Sequence, residues 1–154
     1  MSFIESIRTV LSKYAAFSGR ARRSEYWWYT LAYGIVMTVL YSVLIVPGLT
    51  EYMAALTQAT ANPTGTVPVA PGSLTTGYLI FSLVALALLL PTLGVTVRRL
   101  HDTNRSGYWV FLHLIVFVGQ IVLIVFAAQA GTPGENRFGA DPKAQEPAPA
   151  AAAV

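Results

Sequence analysis

A chain of 154 residues that is 55% hydrophobic and only 11% charged departs from soluble domains, in which about a quarter of residues carry charge. Its lack of cysteine excludes disulfides, thiolate metal sites and thiol catalysis together. The net charge of +3 is modest, and the placement of the basic residues ties it to membrane topology and anionic lipid, not to nucleic acid.

Residues 3–17 set Phe3, Ile4, Ile7, Val10, Leu11 and Tyr14 at helical spacing, with Glu5, Arg8, Thr9, Ser12 and Lys13 opposite. Ser2 followed by Glu5 is a capping box, and Gly19 offers a left-handed stop. Residues 1–19 are therefore predicted to form an amphipathic helix, lying at the membrane interface or packed on the ends of the spans. No long apolar run precedes a small-residue cleavage site here, so the following span is expected to stay in the mature protein.

Arg20, Arg22 and Arg23 precede Ser24 as the expected N-cap, Glu25 in the first turn, and the aromatic belt Tyr26 to Tyr29. The first predicted span covers residues 27–46, in which Gly34, Thr38 and Ser42 recur every fourth position as a close-packing stripe. Pro47-Gly48 ends it. Residues 47–77 hold neither Lys nor Arg and read as an extracytoplasmic loop, with a short surface helix around Leu49, Met53 and Leu56 and an irregular stretch over 59–73.

The second predicted span, 78–97, carries Pro91, which is expected to kink it. The third, 108–128, aligns Trp109, His113, Val116 and Gln120 on one face. Each span approaches the roughly 20 residues that cross a hydrocarbon core of about 30 Å. None contains any of the ten basic or seven acidic residues, as expected when a mid-helix charge costs roughly 2.5 to 3.5 kcal/mol. Residues 20–130 thus form one transmembrane domain, and residues 131–154 a Gly/Pro/Ala-rich tail whose end is expected to be disordered. The fold class is an all-α integral membrane protein with an interfacial helix and three spans.

With three spans, Arg8, Lys13, Arg20, Arg22, Arg23, Arg98, Arg99 and Arg105 fall on one side, against Arg137 and Lys143 on the other. Eight against two puts the N-terminus and the Arg98 turn in the cytoplasm and the C-terminus outside.

The turn from Arg98 to Trp109 joins charge, turn formers and aromatic anchors. Cations suit the helix end at Arg98 and Arg99, Asp102 and Asn104 form turns, and Ser106 can cap the third span. His101 beside Asp102 supplies a general base and carboxylate for lipid-headgroup chemistry or a proton relay. No nucleophile elbow, phosphate loop or spaced carboxylate pair accompanies them, and His101, Asp102 and His113 are too few for a metal site. No catalytic residue, metal or cofactor is therefore expected. The favoured use of Arg20, Arg22, Arg23, Glu25, Arg98, Arg99, His101, Asp102 and Arg105 is a cytoplasmic ion-pair network joining the first two spans; a pocket for an anionic lipid headgroup comes second. For the whole protein the alternative function is an oligomeric transporter or channel, which would line a polar path with Thr38, Ser42, Thr92, Thr96, His113 and Gln120, although no charge sits at its midplane; an enzyme acting on lipid headgroups is third.

Three motifs together resemble the bacterial inner-membrane family catalogued as domain of unknown function 805. They are Phe17-Ser18-Gly19-Arg20-Ala21-Arg22-Arg23-Ser24-Glu25-Tyr26-Trp27, the turn from Arg98 to Trp109, and Thr132-Pro133-Gly134-Glu135-Asn136-Arg137-Phe138-Gly139. Ala140 stands where the family often has proline, and the Thr/Pro loop and Ala-rich end look peculiar to this chain. The resemblance implies a small multi-pass protein of the bacterial plasma membrane and no activity. It adds Glu135, Asn136 and Arg137 as a motif, which three spans would place across the membrane from Arg98. The expected partners are membrane lipids, anionic ones included, and a second copy or another membrane protein. The expected role is a non-catalytic component of the inner membrane.

Overall fold

The computed structural model describes residues 1–61 and 66–144. Its helices are α1 (Phe3–Ser12), α2 (Arg23–Leu44), α3 (Val46–Ala61), α4 (Gly72–Asp102) and α5 (Val118–Ala128), with a 3-10 segment, Gly107–Leu114, before α5. The chain divides into two compact units, residues 1–31 with 90–154 and residues 32–89.

In the first unit, α1 has the anticipated capping box. Ser2 Oγ accepts from the Glu5 amide at 3.3 Å, and the Ser2 amide donates to Glu5 Oε2 at 3.0 Å. The helix stops at Ser12, short of Gly19, which does adopt a left-handed φ of +84°. Ser6 and Val10, one turn apart, are its buried residues. Ser6 Oγ reaches Ser24 O at 3.5 Å, and Phe3 meets Trp28 edge-on. Ile4 and Leu11 stay exposed, so α1 both packs on α2 and presents an apolar edge. Ser24 lies inside α2, one residue past its start, and is not its cap.

In the second unit the short surface helix expected around Leu49, Met53 and Leu56 is present and longer than expected, and α4 starts at Gly72, so less of 47–77 is loop. Proline suits the first turn of a helix because the amide it lacks has no intrahelical partner there. Pro47 accordingly sits in the first turn of α3, which runs through to Ala61. Residues 66–71 have no regular structure, and the expected irregularity at 62–65 lies outside the described residues. α4 approaches both α2 and α3 closely here: a Cβ on Gly77 would strike Leu44 O of α2, and one on Gly48 of α3 would sit 2.9 Å from Leu74.

α4 has 31 residues and continues unbroken through Pro91. Among the described residues, α2 and α4 are the two helices long and apolar enough to cross a membrane.

The third expected span is not one helix. The 3-10 segment ends at Leu114, the chain reverses through residues 115–117, and α5 has only 11 residues, about 16 Å of helix against a core of about 30 Å. Phe117, at φ 65° and ψ −67°, is the centre of a γ-turn in which the Val118 amide donates to Val116 O at 2.9 Å. Gly119 lets the arms close, since any Cβ there would strike Leu112 O. Trp109 then meets Phe126 edge-on at 5.6 Å across the hairpin. His113 and Gln120, expected on one helical face, instead lie on opposite arms, and Gln120 Nε2 donates to His113 O at 3.4 Å.

Candidate functional site

The end of α4 carries Arg98, Arg99, His101 and Asp102, all buried. A buried guanidinium must find a counter-charge and acceptors for its remaining N–H groups. Arg98 pairs with Glu25 of α2 at 2.9 Å and donates through Nε to Gly94 O at 3.3 Å. Arg99 pairs with Asp102 one turn on, and donates to Ala127 O at 3.0 Å, Ala21 O at 3.3 Å and Gln129 O.

Asp102 is shared. Its Oδ1 accepts from Arg20 Nε at 2.9 Å, while Oδ2 takes Arg99. Arg20 then donates to Gly134 O at 2.6 Å, to Gly139 O at 3.3 Å and to Thr132 O. Asp102 also holds the tail by its main chain, its carbonyl accepting from the Thr132 amide at 2.8 Å and from Thr132 Oγ1 at 3.2 Å. Gly131 makes this approach feasible, because a Cβ there would collide with the Asp102 carboxylate.

His101, which the sequence offers as a general base, has two structural partners. Its Nδ1–H donates to Gly19 O at 3.1 Å, and its ring stacks on Phe138 with centroids 3.9 Å apart and planes 4° from parallel. Arg22 binds Pro142 O, and Arg23 Nε donates to Gln129 O at 2.8 Å. Arg105 lies over the Phe126 ring at 4.1 Å. Asn104 takes the turn's left-handed position at φ 57°, and Ser106 caps the 3-10 segment by accepting from the Tyr108 amide at 3.4 Å.

The motif expected on the far side is here as well. Asn136 Nδ2 donates to His101 O at 3.0 Å, and Arg137 Nη2 to Asn104 O at 3.0 Å; Glu135 is exposed. These contacts do not fit the expectation that a third span separates the motif from Arg98, because the chain reverses at residues 115–117 and brings residues 131–139 back to the end of α4. Asn136 further bonds Thr132 Oγ1 at 2.8 Å and accepts from the Phe138 amide at 2.9 Å, fixing a tight loop closed by the bridge from Asn136 to Gly139.

The sequence assigns no site role to Gly131, Thr132 or Phe138, although Thr132 and Phe138 belong to the third motif; the tail's end, expected to be disordered, lies outside the described residues. A signal was available in Asn136 and Gly139, a turn-forming pair within an otherwise simple composition.

The three motifs thus converge in one cluster, and the same three coincide with a known family. The family described as "Protein of unknown function (DUF805)" matches residues 14–140. The chain belongs to it. Among relatives in this family, "Inner membrane protein YhaH" of Escherichia coli K12 is 42% identical over 134 residues, which are 87% of this chain and 93% of that one. "Inner membrane protein YhaI" of the same strain is 40% identical over 136 residues, 88% of this chain and 92% of the other. No solved structure matches significantly. The protein is accordingly an all-helical inner-membrane protein of the family.

Proposed function

We propose that the protein is a non-catalytic structural component of the bacterial inner membrane, in which the buried arginine-carboxylate cluster clasps four chain segments on the cytoplasmic face. The observation that carries this reading is the coordination of Arg20 and Arg99. Their guanidiniums are committed to Asp102 and to carbonyls of residues 21, 127, 129, 132, 134 and 139. A guanidinium so engaged has little left to offer a phosphate or a substrate.

The cytoplasmic assignment rests on charge. All ten Lys and Arg belong to the unit of residues 1–31 and 90–154, and residues 32–89 contain none, a stronger asymmetry than three spans would give. Exposed Arg8 and Lys13 beside Ile4 and Leu11 of α1 suit contact with anionic lipid at the interface. Partners beyond lipid would be a second copy or another membrane protein.

The test is trypsin treatment of inside-out vesicles containing the full chain. Asp102→Ala should speed cleavage after Arg137 and Lys143 and lower stability in detergent. Unchanged protection and stability, with loss of a solute flux or a lipid-modifying activity, would replace this reading with a transporter or an enzyme.

A further inference from the structure

The segment between the two halves of the clasp leaves from Asp102 and returns to it. Arg105 N donates to Leu100 O at 3.0 Å on the outgoing side, and Thr132 N to Asp102 O at 2.8 Å on the returning side. Both ends of the hairpin are thus fixed to the end of α4, yet residues 107–128 contain no Asp, Glu, Lys or Arg. Eight residues of 3-10 helix and eleven of α-helix give two arms of about 16 Å each, by rises of about 2.0 and 1.5 Å per residue. Such arms reach about half-way through a hydrocarbon core of about 30 Å.

The reversal is apolar and bare. Leu114, Val116, Phe117 and Val118 are 64 to 79% exposed, which would be costly in water. Irregular backbone survives against hydrocarbon only when its polar groups are satisfied internally. The amides of Ile115, Val118, Gly119 and Ile121 all donate to carbonyls within the hairpin. Its two polar side chains do likewise, with His113 Nδ1–H donating to Val110 O at 3.0 Å and Gln120 to His113 O. At its base Arg105 sits over Phe126, beside Tyr108 and Trp109, the residue types that mark an interface.

We propose that residues 107–128 form a re-entrant wedge whose exposed face is covered by lipid acyl chains of one leaflet, entering from the face that carries the clasp and returning to it. Naming that leaflet cytoplasmic rests on the orientation proposed above; the wedge itself does not.

Single cysteines introduced into this cysteine-free chain test it in oriented membrane vesicles. Asn104→Cys and Glu135→Cys should both react with a membrane-impermeant maleimide from one and the same side. Phe117→Cys should react only after detergent is added, and a fluorophore attached there should be quenched severalfold more by phospholipids brominated near the acyl-chain end than by those brominated near the headgroup. Val116→Cys and Ile121→Cys repeat the measurement should Phe117→Cys fail to accumulate. Labelling of Glu135→Cys from the side opposite Asn104→Cys would establish a full crossing and overturn the wedge. Labelling at the tip in intact vesicles would place it in water, and an unquenched fluorophore would mean that protein covers it; either result also overturns the proposal. Same-side labelling of both ends from the periplasm would overturn the orientation alone.

Discussion

Asp102 divides its carboxylate between Arg99, one turn before it in the same helix, and Arg20, 82 residues earlier in the chain. Removing it leaves two buried guanidiniums without their counter-charge, a loss of about 3 to 5 kcal/mol for a broken buried pair. Asp102→Ala should therefore lower unfolding stability in mild detergent by that order. Arg20→Ala combined with Asp102→Ala should cost less than the sum of the two, and so should Glu25→Ala combined with Arg98→Ala, because each double variant removes one shared interaction. Additive losses within a pair would show that it does not contribute as a pair.

Gly119 and Gly34 make contrasting probes. Gly119→Ala puts a methyl into Leu112 O and should destabilise the hairpin by about 1 to 3 kcal/mol, as overpacking does. Gly34 has nothing within 4 Å of its would-be Cβ, so Gly34→Ala should be neutral or gain roughly 0.5 to 1 kcal/mol from helix propensity. Thermal unfolding of the two variants checks both. A loss at Gly34 would reveal a neighbouring helix, as the Gly34, Thr38 and Ser42 stripe suggests.

Asp141, beyond the last helix, ties the tail together. The Lys143 amide, at 2.9 Å, and the Gly134 amide, at 3.2 Å, donate to its carboxylate and hold its pKa below the ordinary aspartate value. A depressed folded pKa stabilises fully above the unfolded value of about 3.9 and loses that effect as pH falls through the folded value. Tryptic cleavage cannot be followed so low, so amide exchange of Gly134 and Lys143 is the suitable readout. At neutral pH, Asp141→Asn should exchange faster than the parent chain at these amides, with the difference shrinking as the pH falls below 4.

The two helices long and apolar enough to cross a membrane were legible in the sequence because charge is excluded from long apolar runs, and the charged cluster was legible because Arg20 to Glu25 and Arg98 to Arg105 flank those runs. The hairpin was not. Nothing at Ile115, Val116 or Phe117 marks a break, since neither proline nor glycine stands there, and residues 108–128 match the length and apolarity of a span. The turn depends on a contact made in three dimensions, the approach of Leu112 O to Gly119. Without the turn, the contacts of Asn136 and Arg137 with the end of α4 are not legible, and neither are those of His101, whose partners Gly19 and Phe138 lie 82 and 37 residues away. α3 was legible only as a short surface helix around Leu49, Met53 and Leu56, because Pro47 suits a helix start as well as a stop.

The claim that the N-terminal arginines, the end of α4 and the C-terminal motif form one clasp is tested most directly by cross-linking in native inner membranes. Arg137 Nη2 lies 3.0 Å from Asn104 O, so the double variant Asn104→Cys with Arg137→Cys should be joined within one chain by a short thiol-to-thiol reagent. Adding Asp102→Ala should reduce that yield severalfold. Absence of the intramolecular product, with the two positions labelled from opposite sides of the membrane, would contradict the clasp and restore a third crossing.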